Sequence, residues 1–124
     1  TILASYSTAG GNMVELVICN NDGMAEGAIS ALSAAGYNTG AENAVTVPVF
    51  GVDATSAAKE LIRAGKMAGT VKQDADGMAE ALLDIAKNAL ENKAILEDMD
   101  DYTIDETVAK VRISYAVYLG EDNQ

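Results

Sequence analysis

Three times along this chain an apolar run gives way to a polar cluster, and each cluster opens a helical pattern. The runs are residues 13–19, 47–52 and 69–71, and the clusters are Asn20-Asn21-Asp22, Asp53 and Gln73-Asp74. Short apolar runs of this kind suit strands covered on both faces. Alternating with helices, they give the order β-α-β-α-β-α-β, an α/β chain with a parallel sheet flanked by helices. Right-handed crossovers place consecutive strands side by side. The carboxyl ends of the strands then share one rim, where open parallel sheets bind ligands. One polar cluster is explained by helix capping alone, but three in succession predict an acid- and amide-rich cleft.

The helices are delimited by local chemistry. Asp22 is placed to cap a helix over residues 23–34, and Gly36 to end it. Asp53 is placed to cap a helix over residues 54–64, which Gly65 ends, and Asp74 or Asp76 begins a longer helix reaching about residue 92. Met24, Ala28 and Leu32 with Ala25 and Ile29 make one inner face; Ala57, Leu61, Ala58 and Ile62 make the next. The longest helix carries Met78, Leu82, Ile85 and Leu90. Pro48 sits near the start of the second strand, where a missing N–H is best tolerated. A loop occupies residues 37–45, an acidic stretch residues 97–101, and a last strand residues 108–117. Residues 2–6 read as the tail of a helix, and a chain opening this way, without Met, is expected to be a piece of something longer.

The chain has 124 residues, of which 49% are hydrophobic, enough for one domain with an aliphatic core. Its net charge of −11 opposes binding to nucleic acid or an anionic membrane, since both need a basic surface. There is no His, which removes the commonest general base and metal ligand. Cys19, the single cysteine, ends an apolar run and reads as a buried, inert thiol. Residues 98–106 match a calcium loop in acidity only, because the glycine of an EF-hand turn is missing.

The candidate ligand-binding residues are Asn21, Asp53 and Gln73. Carboxamides both donate and accept, and a carboxylate accepts from neighbouring hydroxyls. A polyhydroxylated, uncharged ligand needs that mixture. Asp22 paired with Asp53 is conceivable as a catalytic dyad, but nothing in the sequence supplies a nucleophile or raises a carboxyl pKa. No catalytic residue, metal ligand or cofactor is therefore expected, and the chain reads as a binder, not an enzyme. A phosphorylated receiver domain also gathers acids and a Lys at strand ends. Here Lys72 lies too close along the chain to Asp53, and a paired acid on the first strand is lacking.

The segments VELVICNNDGMAEGAISAL, VPVFGVDATSAAKELIRAGKMAGTVKQDADGMAEALLDIAKN and VRISY resemble the second half of type I periplasmic sugar-binding proteins. The galactose/glucose-binding proteins are the nearest resemblance and the ribose-binding protein a relative. The resemblance implies that Asn21, Asp53 and Gln73 hydrogen-bond sugar hydroxyls from the second lobe. The third position is typically Asn in the galactose/glucose type and Gln in the ribose type, so the sugar stays open among galactose, glucose and ribose. Glu15 matches a calcium-ligating Glu, but most of that site belongs to an earlier loop of the family chain, and no ion is expected.

By the same resemblance, residues 1–73 and 107–118 belong to the second lobe. Residues 74–106 cross to the first lobe, and 119–124 form a tail. The parent protein would work outside the cytoplasm, capturing a monosaccharide for the membrane subunits of an ABC transporter. The alternative is the effector-sensing domain of a lactose-repressor-type regulator, whose segment after the second strand usually carries paired acids; here it reads Gly51-Val52-Asp53-Ala54-Thr55. A helix whose sheet partner lies in the first lobe leaves apolar surface open, so self-association of this chain is expected.

Overall fold

The computed structural model describes residues 2–105, 107–108 and 110–120. In chain order the elements are α1 (Ile2–Ser5), β1 (Val17–Ile18), α2 (Asp22–Ala34), β2 (Val49–Val52), α3 (Ser56–Arg63), β3 (Gly69–Lys72), α4 (Ala75–Leu90), β4 (Thr103–Asp105), β5 (Lys110–Arg112) and β6 (Ala116–Tyr118). They fall into two compact units. One is built from the chain up to Lys72 and again from Val117; the other runs from Gln73 to Ala116.

The first unit contains the parallel α/β layer read from the sequence. Its four-stranded sheet has the order β1-β2-β3-β6. β1 and β2 are parallel, with Val17 opposite Val49 and Ile18 opposite Phe50. β2 and β3 are parallel, with Gly51 opposite Thr70 and Val52 opposite Val71. Ala25, Ile29 and Leu32 recur at helical spacing and turn one face of α2 into the core, where Val49, Ala58 and Ile62 meet them. Burying each of the larger aliphatic side chains stabilises the fold by about 1.5–3 kcal/mol. Ala25 and Ala58 are fully buried, and their small side chains let α2 and α3 lie close to the sheet. A Cβ at Gly69 would stand 3.1 Å from Tyr118 O, so glycine at this position eases the close approach of β3 and β6. Lys59 lies over the Tyr118 ring, 4.9 Å from its centre.

Asn38 holds the loop before β2. It is fully buried, and its Nδ2 donates to Val47 O (2.8 Å) and Lys66 O (2.9 Å) while Oδ1 accepts from Val47 N–H (2.8 Å). Cys19 is buried, as its apolar setting predicts. Gly36 and Gly65 follow their helices at φ +89° and +66°, the left-handed geometry that stops a helix.

Several expectations are corrected. The first strand is shorter than the apolar run, since only Val17–Ile18 pairs with β2. Met24 lies outside the inner face of α2 and is 54% exposed. The strand expected over 108–117 is two separate strands, and Val108 stands in the turn before β5. Ala109 lies outside the described residues, as do Glu106 at the end of the acidic loop and residues 121–124 of the expected tail.

In the second unit, Asp74 caps α4, its Oδ1 accepting from Gly77 N–H at 3.1 Å. β4 and β5 form an antiparallel pair with Ile104 opposite Val111. The sequence pattern does not reveal this pair, because acidic residues interrupt it. The Arg112–Asp105 ion pair at 2.6 Å supports it. The acidic stretch is not wholly solvated: Met99 within it is 1% exposed. Asn88 of α4 donates to Ile95 O (3.2 Å) and Glu97 O (2.7 Å), fixing the turn after the helix.

Candidate ligand-binding rim

Because β1 and β2 are parallel neighbours, the residues leaving their carboxyl ends share one rim. Asn21 leaves β1. It is the N-cap of α2, with φ −154°, and its Oδ1 accepts from Met24 N–H at 2.9 Å. The sequence reading gives this cap to Asp22; Asn21 takes it because its backbone is still extended while Asp22 already lies in the helix. The capping bond engages Oδ1 and leaves the exposed Nδ2 of Asn21 as a surface donor.

Asp22 points inward instead. It is fully buried. Its Oδ2 accepts from Thr55 N–H at 2.8 Å and its Oδ1 from the Thr70 hydroxyl at 2.6 Å. A Cβ on Gly51 would collide with the Asp22 carboxylate, so this strand position has no room for a side chain. The network joins the start of α2, the loop after β2 and strand β3. Sequence reasoning missed it, although one signal was present: Thr70 is a hydroxyl in a buried strand and must find a partner.

Asp53 leaves β2. Its N–H donates to Val71 O at 2.8 Å, extending the parallel pairing one residue past the strand. Contrary to the sequence reading, it does not cap α3. Thr55 does, its Oγ1 accepting from Ala58 N–H at 3.2 Å. Asp53 and Ala54 adopt φ +116° and +54°, so two consecutive non-glycine residues sit in the left-handed region. The turn is short, and it leaves Asp53 exposed at the strand end.

Gln73 follows β3 directly and is half-buried; its carbonyl accepts from Ala75 N–H at 3.2 Å. It opens the second unit. The structure therefore brings Asn21 and Asp53 to one rim, and Gln73 is described within its own unit.

Two carboxyl groups of the second unit have lowered pKa values. The Lys87 ammonium, then the Tyr102 hydroxyl, hold the Asp84 carboxyl below its ordinary range. The Thr107 hydroxyl, then Arg112, do the same for Asp105. Both are structural staples. An apolar groove of about 930 Å³, lined by Leu3, Leu16, Ile18 and Ala31 among others, lies along the open edge of β1. It includes neither Asn21 nor Asp53. Among the described residues no group of three or more acidic, His or Cys side chains is arranged to hold a metal ion.

The rim thus presents a carboxamide donor and a carboxylate acceptor at the ends of adjacent parallel strands. Residues 1–94, which include Asn21, Asp53 and Gln73, match the model of the periplasmic binding protein domain. The chain belongs to that family. Over 94 residues it is 37% identical to the D-galactose/methyl-galactoside binding periplasmic protein MglB of Haemophilus influenzae, covering 76% of this chain and 26% of that protein. Over 81 residues it is 38% identical to the putative rhizopine-binding protein of Rhizobium meliloti, covering 65% of this chain and 25% of that protein. This periplasmic binding protein chain spans about a quarter of the length of those relatives.

Proposed function

We propose that this chain supplies part of the binding site of an extracytoplasmic monosaccharide-binding protein, and that Asn21, Asp53 and Gln73 hydrogen-bond the hydroxyls of its sugar. The observation that carries the reading is the placement of Asn21 and Asp53 at the carboxyl ends of two adjacent parallel strands. Asn21 Nδ2 is a donor, the Asp53 carboxylate accepts twice, and the Gln73 carboxamide does both. A sugar hydroxyl donates once and accepts up to twice, so this set matches a polyol better than an anion or an apolar ligand. A relative named for binding galactose and methyl-galactoside supports the class. Capture is non-covalent, with lobes closing about a hinge in the parent protein. The captured sugar passes to the membrane subunits of an ABC-type importer.

Titrating the isotope-labelled chain with galactose, glucose and ribose tests this. The expected result is amide shift changes confined to Asn21, Asp53, Gln73 and their neighbours, saturating in the millimolar range. A single rim lacks the enclosure that makes sugar sites tight, and the chain has no Trp to stack on a sugar ring. Asp53→Ala should weaken binding about tenfold or more, because a hydrogen bond to a charged group contributes ~1.5–3 kcal/mol. Shifts located elsewhere, or none with any of the sugars, would overturn the reading.

A further inference from the structure

We infer that Asp22 and Thr70 act as a positioning relay that fixes the backbone of Asp53 and so aims its carboxylate at the ligand. The inference rests on the reading of Asp53 as a sugar-binding residue. Its geometry stands on separate observations.

Two consecutive non-glycine residues at positive φ do not persist without support, since each costs free energy that the surroundings must offset. A chain of hydrogen bonds surrounds this turn. Asp53 N–H is held by Val71 O at 2.8 Å. Ala54 N–H is held by Thr70 Oγ1 at 3.3 Å, and Thr70 Oγ1 in turn donates to Asp22 Oδ1 at 2.6 Å. Thr55 N–H is held by Asp22 Oδ2 at 2.8 Å. Thr55 Oγ1 then caps the next helix through Ala58 N–H at 3.2 Å. Three successive N–H groups after β2 are thereby fastened, two of them through the Asp22–Thr70 pair.

The direction of the relay follows from donor and acceptor counting. A hydroxyl carries one proton. Since Thr70 gives its proton to Asp22, its lone pairs are presented to Ala54 N–H, which fixes the hydroxyl rotor. The Asp22 carboxylate needs no movement of its own: it is fully buried against Gly51, and its neighbour Asn21 is pinned as the α2 cap. Asn21 and Asp53, the two rim residues, are therefore both tied to one buried carboxylate, the first as its chain neighbour and the second through the hydrogen bonds that hold Ala54 and Thr55, the two residues after it.

The test compares wild type with Thr70→Val, which keeps the shape and loses the hydroxyl, and with Thr70→Ser, which keeps the hydroxyl. The ligand-free readout is the strong intraresidue HN–Hα cross-peak that positive φ gives at Asp53 and Ala54, with hydrogen exchange at Ala54 and Thr55. Thr70→Val should lose the cross-peaks and speed exchange there at least ~10-fold, while the Ile29 and Val49 amides keep their protection. Thr70→Ser should restore both. In galactose titrations, Thr70→Val should weaken binding at least ~10-fold and Thr70→Ser should not. If Thr70→Val does not fold, Asp22→Asn, which turns an amide donor toward Thr55 or Thr70, supplies the same comparison. A folded Thr70→Val chain with unchanged cross-peaks and exchange overturns the relay. Absence of any sugar-induced shift in wild type overturns the sugar reading alone, because the loop comparison still decides the relay.

Discussion

At the scale of single residues, buried polar side chains decide the fold as much as the aliphatic core does. Asp22 accepts two hydrogen bonds in a fully buried position. Removing its carboxylate strands the Thr55 N–H and the Thr70 hydroxyl. Asp22→Ala should therefore lower unfolding stability by about 3 kcal/mol, measured by urea titration. A loss below about 1 kcal/mol would contradict that role. Asn38 offers a sharper comparison. Its Nδ2 serves two carbonyls, Val47 O and Lys66 O, and an ionised aspartate in its place could donate to neither. Asn38→Asp should cost at least as much as Asn38→Ala at neutral pH, although aspartate is closer in shape to asparagine; the reverse order would show that space, not donation, matters there. At this scale the sequence was legible where a residue acts through its own position. The placement of Asn21 and Asp53 at strand ends was readable because each follows an apolar run. The roles of Asp22 and Asn38 were not, because their partners lie 33 and 48, and 9 and 28, residues away. At each helix start two nearby polar residues could serve as the cap: Asn21 or Asp22, Asp53 or Thr55, and Asp74 or Asp76.

At the scale of elements, strands and helices with strong periodicity were readable and the antiparallel pair was not. β2, α2, α3 and α4 lie within about two residues of where apolar spacing puts them, although the caps of α2 and α3 fall on other residues than expected. β4 and β5 are three residues each and are joined through charge. Apolar patterning carries little information about a pair held by Asp105 and Arg112. That pair has a pH signature. The folded-state pKa of Asp105 lies below its ordinary value, through Thr107 first and Arg112 second. A carboxyl depressed in this way stabilises the hairpin above its unfolded pKa, and the contribution disappears as pH falls through the folded value. Cross-strand contacts between Ile104 and Val111 should persist at neutral pH and weaken in acid below the ordinary carboxylate range. Contacts that do not change on acidification would remove the electrostatic explanation. α4 raises a different question. Leu82 is 66% exposed and Leu90 84% exposed, so the stripe read from the sequence is real as a pattern but does not form the core of its unit. Ala81, Met99 and Asn88 occupy the buried positions instead.

At the scale of the whole molecule, exposed apolar surface predicts association. In the second unit the α4 side chains Met78, Leu82 and Ile85 line a groove of about 260 Å³ with Val111 and Ile113. In the first unit β1 is an edge strand with Ile18 76% exposed. Unpaired strand edges recruit further strands, and each large aliphatic group left in water forgoes about 1.5–3 kcal/mol. We propose that this chain pairs with a second copy of itself. Sedimentation equilibrium should show a concentration-dependent dimer or larger species, and Leu82→Glu should shift it toward monomer. A monomer at every concentration would refute the pairing. The fold class of the whole was legible because four apolar runs and three helical patterns alternate. The identity of the proposed sugar was not, because Gln73, where the galactose/glucose type typically has Asn, leaves several monosaccharides open. The most direct test of the binding claim is an isotope-filtered NOE measurement on the labelled chain with unlabelled galactose at saturating concentration. The account predicts contacts from sugar protons to the Asn21 side-chain amide and to the Asp53 methylene. Contacts confined to Leu16, Ile18 and Ala31 in the apolar groove, or none at all, would contradict it.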